Sequence, residues 1–204
     1  MNFFKSKTKD FIFHKKKALS KDKCDLIMKL FENDGENWKE NDMLSKIDGT
    51  TKTCTEIFVE RNQKNLYNDL FLNELVIALE EYKEQYPYLN EIHYWSLFDV
   101  YKIQRYYPGE GYCILHCENQ SHIPHPNHDP LVSTRILAWM IYLNDVTEGG
   151  HTEFPTQNKL LQPRSGDIVI WPAYWTHPHR GIVSKTQTKY IMTGWYNFST
   201  QLRC

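Results

Sequence analysis

The sequence predicts a mainly β protein with an N-terminal helical layer, and three observations lead to this. After residue 93, short apolar runs alternate with turns that contain Gly or Pro. Before residue 93, two segments carry apolar residues at three- and four-residue spacing, which is typical of helices packed on a core. The 204 residues are enough for one sizeable domain. We therefore expect one continuous domain, with residues 1–92 as a helical and extended support and residues 93–204 as a β core.

Two helices are predicted in the first half of the chain. The first begins at Ser20, a residue that can cap a helix, and continues to about Asn33, after which Gly35 is a stop signal. The second covers residues 65–86, and Pro87 lies just past its end. Its apolar stripe indicates a helix packed on the core, with no function of its own.

The strands are predicted from short apolar runs. Residues 36–55 are polar and have few periodic apolar positions, so we expect mostly loop there, followed by a short strand at 55–60 (TEIFVE). The later candidates are DVYKIQRYY, YCILHC, TRILAWMIYLN, GDIVIWPA and KYIMTGWYNF. Several short strands at this spacing favour a sandwich or barrel over an alternating β-α-β fold.

Composition excludes several classes of protein. The formal net charge is −1, with 24 basic and 25 acidic residues, which gives no electrostatic reason to expect nucleic acid. The five cysteines are odd in number and form no CxxC pair, which argues against a disulfide framework or a zinc ribbon. The longest apolar stretch, ILAWMIYL, is too short to cross a bilayer, and the N-terminus has no signal-peptide run. We expect a cytoplasmic protein without a membrane partner.

A possible metal corner stands in the stretch YPGEGYCILHCENQ. If this stretch is a strand, His116 and Glu118 point to the same face, because strand residues two apart do so. An imidazole with a carboxylate suits divalent iron or manganese better than metals that prefer soft ligands. An H-x-E pair also occurs by chance, so the hypothesis requires a third ligand from another strand.

Two histidines further along are candidates for that third ligand. His177 and His179 share a parity, and local geometry does not choose between them. Lys189 then heads a run whose inward face includes Trp195. A lysine on an apolar inward face is costly to bury unless it meets an anion. The alternative is that Lys189 lies at the strand end and reaches solvent.

In their order along the chain, these motifs resemble the iron- and 2-oxoglutarate-dependent dioxygenases, and within them the prolyl 4-hydroxylase branch. The matching elements are Tyr107-Pro-Gly, Tyr112, His116-x-Glu118, TRILAWMIYLNDVTEGGHTEFP, P-x-x-G-D-x-x-x-W, His179-Arg-Gly, Lys189 and Trp195. The resemblance covers roughly residues 98–198, about half of the chain. The stretch YLNDVTEGGHTEFP makes it far more specific than three metal ligands alone.

The resemblance implies a double-stranded β-helix (jelly-roll) core with Fe(II) at its open end. The iron would be held by His116, Glu118 and His179, with 2-oxoglutarate as cosubstrate and ascorbate as reductant. His179 is preferred to His177 because the family places a basic residue about ten positions after its distal histidine. Lys189 stands ten positions after His179.

The resemblance also assigns the cosubstrate site. Lys189 would pair with the distal carboxylate of 2-oxoglutarate, while Tyr107 and Thr152 match positions whose hydroxyls contact the cosubstrate, and Trp195 would line the pocket. One residue departs from the family, whose usual carboxylate is aspartate, because this chain has Glu118. The added methylene requires either that the backbone retreats or that the carboxylate binds the metal in a different mode.

Three functions follow from the resemblance. The first is oxidative decarboxylation of 2-oxoglutarate to succinate and carbon dioxide, coupled to hydroxylation of an unactivated C–H bond of a prolyl residue in a peptide or protein. The second is the same reaction on a free amino acid or another small molecule. The third is a catalytically impaired jelly-roll that only binds. The first two differ in groove width, which the sequence does not show.

The segment SHIPHPNHDP, residues 121–130, offers His122, His125, His128 and Asp129. These side chains could form a second metal site, but the proline content and lack of cysteine favour a loop. A lid over the substrate is the functional alternative, and a plain surface insertion is the other.

Overall fold

The computed structural model describes residues 9–44, 51–119 and 130–199. The described elements are α1 (Lys21–Asn33), α2 (Leu66–Gln85), β1 (Phe13–Lys15), β2 (Lys39–Leu44), β3 (Thr51–Glu60), β4 (Trp95–Leu97), β5 (Val100–Tyr106), β6 (Gly111–Tyr112), β7 (Arg135–Tyr142), β8 (Thr152–Phe154), β9 (Lys159–Leu161), β10 (Ile168–Pro172), β11 (Arg180–Gly181) and β12 (Lys189–Phe198). Four side chains of the predicted His-rich loop lie outside the described residues, so the lid and the second metal site stay predictions.

Both predicted helices are confirmed within a residue at each end, because their caps are encoded locally. The Ser20 hydroxyl accepts a hydrogen bond from the Lys23 N–H at the start of α1. The Asn65 side chain accepts one from the Asn68 N–H, at 2.9 Å, at the start of α2. In the part of the chain that the structure describes, neither helix is long and apolar enough to cross a membrane.

The strands form two antiparallel sheets. The main sheet has nine strands, in the order β1-β10-β7-β12-β5-β3-β2, with β4 attached to β12 and β6 attached to β3. The smaller sheet has the order β11-β8-β9. The prediction of a mainly β fold with helices in the N-terminal half is confirmed, although the sheets are not closed into a barrel.

The prediction that residues 36–55 are mostly loop is wrong. Most of this stretch belongs to β2 and β3, which pair with each other, and β3 also pairs with β5. The alternation of apolar and polar residues that is typical of a strand is missing here, because several buried positions of β3 are polar. Lys52 is 5% exposed and Glu56 is 2% exposed. Lys52 pairs with Glu56, and Glu56 also has partners on the neighbouring strands β2 and β5, about which sequence periodicity carries no information.

The two faces of the main sheet pack against different groups of residues. On one face α2 packs against the sheet, and the ring of Phe71 lies 5.0 Å from Tyr101 and 5.4 Å from Trp139, between ring centroids. Alternate residues of β7, such as Ala138 and Met140, belong to a second apolar cluster on the other face. The helices therefore support the sheet from behind and leave the opposite face available for a site.

Candidate active site and metal centre

Three potential metal ligands converge in the structure. One donor atom each from His116, Glu118 and His179 lies within 4.8 Å of the other two. Glu118 Oε1 is 3.1 Å from His179 Nε2 and 3.6 Å from His116 Nε2. Two imidazoles and a carboxylate on one side of a site, with the remaining positions open, are the ligand set typical of non-haem Fe(II) oxygenases. The donor set therefore fits the metal that the sequence predicts.

The local structure that holds these ligands differs from the prediction. Of the predicted strand at residues 112–117, only Tyr112 lies in a strand, and Glu118 lies in a turn. His116 is instead held by a backbone bridge to His179: the His116 N–H donates to the His179 carbonyl at 3.0 Å, and the reverse bond is 2.8 Å long. The two histidines are thus fixed by each other's backbone, so their side chains meet without a regular strand.

Backbone carbonyls set the tautomer of both histidines. His116 Nδ1 lies 2.8 Å from the Ile114 carbonyl, and His179 Nδ1 lies 3.0 Å from the His177 carbonyl. Because a carbonyl oxygen can only accept, each Nδ1 carries the proton and each Nε2 keeps its lone pair. Both lone pairs are then available to a metal beside Glu118, and the carbonyls fix the ring orientations.

The protonation states of the site are those a metal requires. Burial, together with the neighbouring His179, lowers the pKa of His116, so this ring is neutral near pH 7. Burial raises the pKa of Glu118, but its close contacts with His116 and His179 outweigh burial and hold that pKa well below its usual range. The site therefore presents a neutral imidazole and an anionic carboxylate.

The second oxygen of Glu118 has its own partners. The Trp195 indole Nε1–H donates to Glu118 Oε2 at 2.7 Å. Arg135 Nη1 lies 3.7 Å from the same oxygen and donates to the Glu118 carbonyl at 2.8 Å, while its guanidinium lies 3.6 Å from the Trp195 ring centroid. One carboxylate oxygen thus faces the histidines and the other is held by the indole. Sequence analysis placed Trp195 only as a pocket lining and gave no role to Arg135, although Arg135 lies in the matching stretch TRILAWMIYLNDVTEGGHTEFP.

We expect a Trp195→Phe variant to bind divalent metal about tenfold more weakly, because groups that orient a ligand typically contribute 10- to 100-fold in affinity. Calorimetric titration with Fe(II) under anaerobic conditions measures this. The matched control is Trp171→Phe, since the Trp171 ring lies 5.0 Å from that of His179 but its Nε1 has no hydrogen-bond partner among the described residues. Equal affinities for the two variants would contradict the role of the indole.

His177, the alternative third ligand, points elsewhere. Its Nε2 lies 2.9 Å from the Asp10 carbonyl oxygen, and its Nδ1 lies 2.9 Å from the Thr176 hydroxyl. Both ring nitrogens are therefore occupied by the N-terminal segment and by the neighbouring residue. The structure brings His179, and not His177, beside Glu118.

Lys189 is a buried cation in the same cavity as the three ligands. Its Nζ donates to the Gly150 carbonyl at 2.8 Å, and no described carboxylate pairs with it. Nζ lies 5.7 Å from the ring centroids of both Tyr106 and Tyr142. Burial lowers the pKa of Lys189 to about 8. A buried ammonium without a carboxylate, next to a possible metal centre, fits a ligand that brings its own negative charge.

The hydroxyl groups predicted to contact the cosubstrate lie in different settings. Thr152 lines the cavity, and its Oγ1 accepts a hydrogen bond from the Tyr142 hydroxyl at 2.6 Å. Tyr107 lies at the rim with about half of its surface exposed, and its ring centroid is 4.3 Å from the buried guanidinium of Arg105. Thr152 is thus placed inside the cavity beside Tyr142, while the contact that Tyr107 is predicted to make stays a prediction.

Tyr112 is a site residue to which sequence analysis gave no role. Its ring is stacked on the His116 ring, with centroids 3.8 Å apart and an angle of 10° between the planes. The cavity that holds these rings has a volume of about 520 Å³ and also includes Lys189. Tyr112 therefore restrains one metal ligand from the side and forms part of the cavity wall.

One wall of this cavity is formed by Lys52, Lys102, Gln104 and Asn41, and we call it the far wall. It carries a buried charged network centred on Glu56. Its carboxylate accepts hydrogen bonds from Lys52 at 3.3 Å, from Lys102 and Asn41 at 3.1 Å each, and from Gln104 at 2.6 Å. Burial raises the pKa of Glu56, but the two ammonium groups and the amide donors lower it to about 2. Sequence analysis gave these residues no role, because Glu56 and Lys102 lie in two separately predicted strands and their pairing depends on which strands become neighbours.

We expect Glu56→Gln to lower the free energy of unfolding at pH 7 by about 3 kcal/mol, because it leaves two buried ammonium groups without their carboxylate. The pKa of Glu56 is lower in the folded state than its ordinary value of 4.5. Its contribution is therefore complete above that value and is lost as the pH falls towards about 2. Urea unfolding at several pH values should show the difference from the wild type shrinking in acid.

The control for that measurement is Glu36→Gln, which changes an exposed carboxylate in the turn before β2. Exposed substitutions of this kind usually change stability by less than about 0.5 kcal/mol. Equal losses in the two variants would show that the buried network does not contribute to stability.

Comparison with known families matches this part of the chain. The family model of the 2OG-Fe(II) oxygenase superfamily matches residues 101–197, a range that includes all three potential ligands and Lys189. A protein of Acanthamoeba polyphaga mimivirus named "Putative prolyl 4-hydroxylase" is 36% identical over 70 residues. That alignment spans 30% of this chain and 29% of the viral protein.

Comparison with solved structures shows the fold. The viral collagen prolyl hydroxylase of Paramecium bursaria Chlorella virus-1 superposes with a TM-score of 0.63 and 18% identity, over 94% of this chain and 97% of that one. A Pseudomonas putida prolyl-4-hydroxylase gives 0.63 and 16%, over 92% of each chain. A Trichoplax adhaerens prolyl hydroxylase, solved with a peptide fragment of hypoxia inducible factor, gives 0.64 and 12%, over 93% and 84%. The core is therefore the predicted jelly-roll.

Proposed function

Since residues 101–197 of this chain belong to the 2OG-Fe(II) oxygenase superfamily, we propose that the protein hydroxylates prolyl residues in a peptide or protein. Fe(II) and 2-oxoglutarate are the metal and cosubstrate of that family. The observation that carries the proposal is one cavity containing both the three convergent ligands and the buried Lys189. These are the two recognition elements that such a reaction requires, a metal site with open positions and a cation for the cosubstrate.

His116, Glu118 and His179 would hold the iron through two Nε2 atoms and one carboxylate oxygen. When bound, the iron supplies the oxygen-dependent redox chemistry that oxidises 2-oxoglutarate to succinate and carbon dioxide and hydroxylates a C–H bond. The chain itself binds and orients. Lys189 Nζ would receive the distal carboxylate of 2-oxoglutarate, replacing the weak neutral acceptor that it now has in the Gly150 carbonyl.

The cavity walls contribute by fixing these groups and by limiting water. Tyr112 packs flat on His116, and the indole of Trp195 holds one oxygen of Glu118. Rigid ligands and a largely buried site would exclude water, so that the oxygen-dependent reaction acts on the bound substrate and not on solvent. Predicted contacts from Thr152 and Tyr107 would complete the cosubstrate site.

The peptide substrate is proposed from the relatives. The mimivirus protein is named as a prolyl 4-hydroxylase, and the structural neighbours are described as prolyl hydroxylases, one of them bound to a peptide fragment. These likenesses extend to the motif region of this chain and to its fold. A peptide that presents proline at the cavity is the substrate class they support.

Succinate formation tests the proposal. The protein would be loaded with Fe(II) and 2-oxoglutarate without oxygen, then exposed to oxygen in the presence of ascorbate, with and without proline-rich peptides. We expect iron- and oxygen-dependent succinate that rises with peptide, together with a peptide mass increased by one oxygen atom. Succinate stimulated only by free amino acids would contradict a peptide substrate. Iron binding without succinate under any of these conditions would leave a binding module.

A further inference from the structure

The far wall of the cavity contains two lysines that the proposed reaction does not use. Lys52, on β3, is 5% exposed, and Lys102, on the adjacent strand β5, is partly buried. Both line the same cavity as the metal ligands and Lys189. Lysine is seldom buried without a partner, so the arrangement requires an explanation.

The partner of the two lysines is a single carboxylate. Glu56 Oε2 lies 3.3 Å from Lys52 Nζ, and Glu56 Oε1 lies 3.1 Å from Lys102 Nζ. Gln104 and Asn41 donate to the same carboxylate, so it is shared among four nitrogen donors. One negative charge therefore serves two ammonium groups, and one positive charge remains at this wall.

This positive charge lies close to the metal site. Lys52 Nζ is 5.1 Å from the centroid of the Tyr112 ring, and that ring is also stacked on the His116 ring, with centroids 3.8 Å apart. The lysine is thus separated from a metal ligand by the thickness of one aromatic layer. If the reacting carbon of a substrate faced the metal, a group next to that carbon would reach this wall.

The other charges of the cavity do not neutralise the lysine pair. Among the described residues, five cationic and two acidic side chains line the cavity. Two carboxylates that do not line it pair with these cations, Glu56 with the lysines and Glu153 with Arg180 at 2.5 Å. One positive charge remains, and Fe(II) with the dianion of 2-oxoglutarate leaves it unchanged. Of the two lining carboxylates, Glu118 belongs to the metal site and Glu110 accepts the Tyr107 N–H at 2.8 Å.

We propose that Lys52 and Lys102 form a subsite for a carboxylate of the substrate, so that the preferred prolyl peptide is acidic next to its proline. The inference deepens the proposed function and rests on it. A carboxylate at this wall would form charge-assisted hydrogen bonds with the two ammonium groups and offset the cost of their burial. A neutral or basic peptide would leave the positive charge without a counterion.

Matched peptides test the subsite. One peptide carries glutamate beside its proline, and the second carries glutamine, which has nearly the same shape without the charge. Each is made with a free and with an amidated C-terminus, which separates a side-chain carboxylate from a terminal one. Binding to the iron- and 2-oxoglutarate-loaded protein is measured without oxygen, and hydroxylation is measured after oxygen is added.

We expect the wild type to bind the anionic peptide about tenfold more tightly than its neutral partner, with the preference shrinking at high salt. Lys102→Gln and Lys52→Gln should remove most of this preference and raise KM for the anionic peptide with little change in kcat. Lys102→Arg, which keeps the charge, should retain it. The control is Lys29→Gln, an equal change of charge at an exposed lysine of α1. Thermal unfolding would establish that each variant is folded.

Equal affinity of the wild type for anionic and neutral peptides would overturn the subsite, even if both are hydroxylated and the proposed function stands. Equal losses for both peptides in the lysine variants would also overturn it, because they would indicate a structural effect. A charge preference in binding without hydroxylation of any peptide would support the subsite and contradict the proposed function.

Discussion

A His179→Ala variant is expected to lose Fe(II) binding at stoichiometric concentrations and to form succinate at least about a thousandfold more slowly than the wild type. Among the described residues, His179 is one of the two potential nitrogen ligands at this site, and its Nε2 lies 3.1 Å from Glu118 Oε1. Without it, the site retains one imidazole and one carboxylate. Metal titration under anaerobic conditions and a succinate assay measure the two losses separately.

The control for this prediction stands two positions earlier in the chain. His177 is as well buried as His179, but its ring nitrogens contact the Asp10 carbonyl and the Thr176 hydroxyl instead of the metal site. We expect His177→Ala to lower stability and leave iron binding close to that of the wild type. If instead His177→Ala abolished iron binding in the folded protein and His179→Ala did not, the assignment of the third ligand would be wrong.

The second large effect is expected at Lys189. Replacing it with methionine keeps most of the side-chain stem and removes the cation that would pair with the distal carboxylate of 2-oxoglutarate. We expect the Kd for 2-oxoglutarate to rise about 100-fold, the magnitude associated with leaving a buried charge without its partner. Because the lysine is buried without a carboxylate, the methionine variant should be at least as stable as the wild type in the absence of the cosubstrate.

The pH dependence of 2-oxoglutarate binding provides a further check on Lys189. Burial lowers its pKa to about 8, so the ammonium is charged below that pH and is neutralised above it. The affinity of the free protein for 2-oxoglutarate should therefore fall as the pH rises through about 8. Lys189→Arg should move this fall to higher pH, since the guanidinium stays protonated.

The matched control is Lys185→Met, which removes an exposed lysine from the turn before β12. We expect it to bind 2-oxoglutarate like the wild type at every pH. If Lys189→Met bound 2-oxoglutarate normally, the cosubstrate carboxylate would have another partner in the cavity, and the lysine pair at the far wall would be the next to examine.

Local signals in the sequence were sufficient for much of the fold. Ser20 is a cap that acts within three residues and Pro87 marks the end of the second apolar stripe, so local signals predict both helices nearly to their ends. The apolar runs of β7, β10 and β12 are central strands whose burial is visible as continuous hydrophobicity. Such features depend on residues close together in the chain, and one sequence is enough to read them.

The sequence also determined which residue types form the candidate site. The order of His116, Glu118, His179 and Lys189 predicted a metal site and a cation for an anionic ligand, and the structure brings all four into one cavity. Their roles in binding iron and 2-oxoglutarate remain to be tested by the variants above. The local reason for the first pair was wrong, because a backbone bridge to His179 positions His116 and not a regular strand.

Only the tertiary structure decided what surrounds those residues. The indole of Trp195 reaches Glu118 across 77 positions of sequence, and Lys102 reaches Glu56 across 46. Polar residues that are buried by such distant partners resemble exposed ones in the sequence, which is why β2 and the first half of β3 were missed, although the strand predicted at 55–60 is confirmed as the second half of β3. Hydrophobic patterning reports burial in a local element, whereas hydrogen bonds and ion pairs between strands depend on which strands become neighbours.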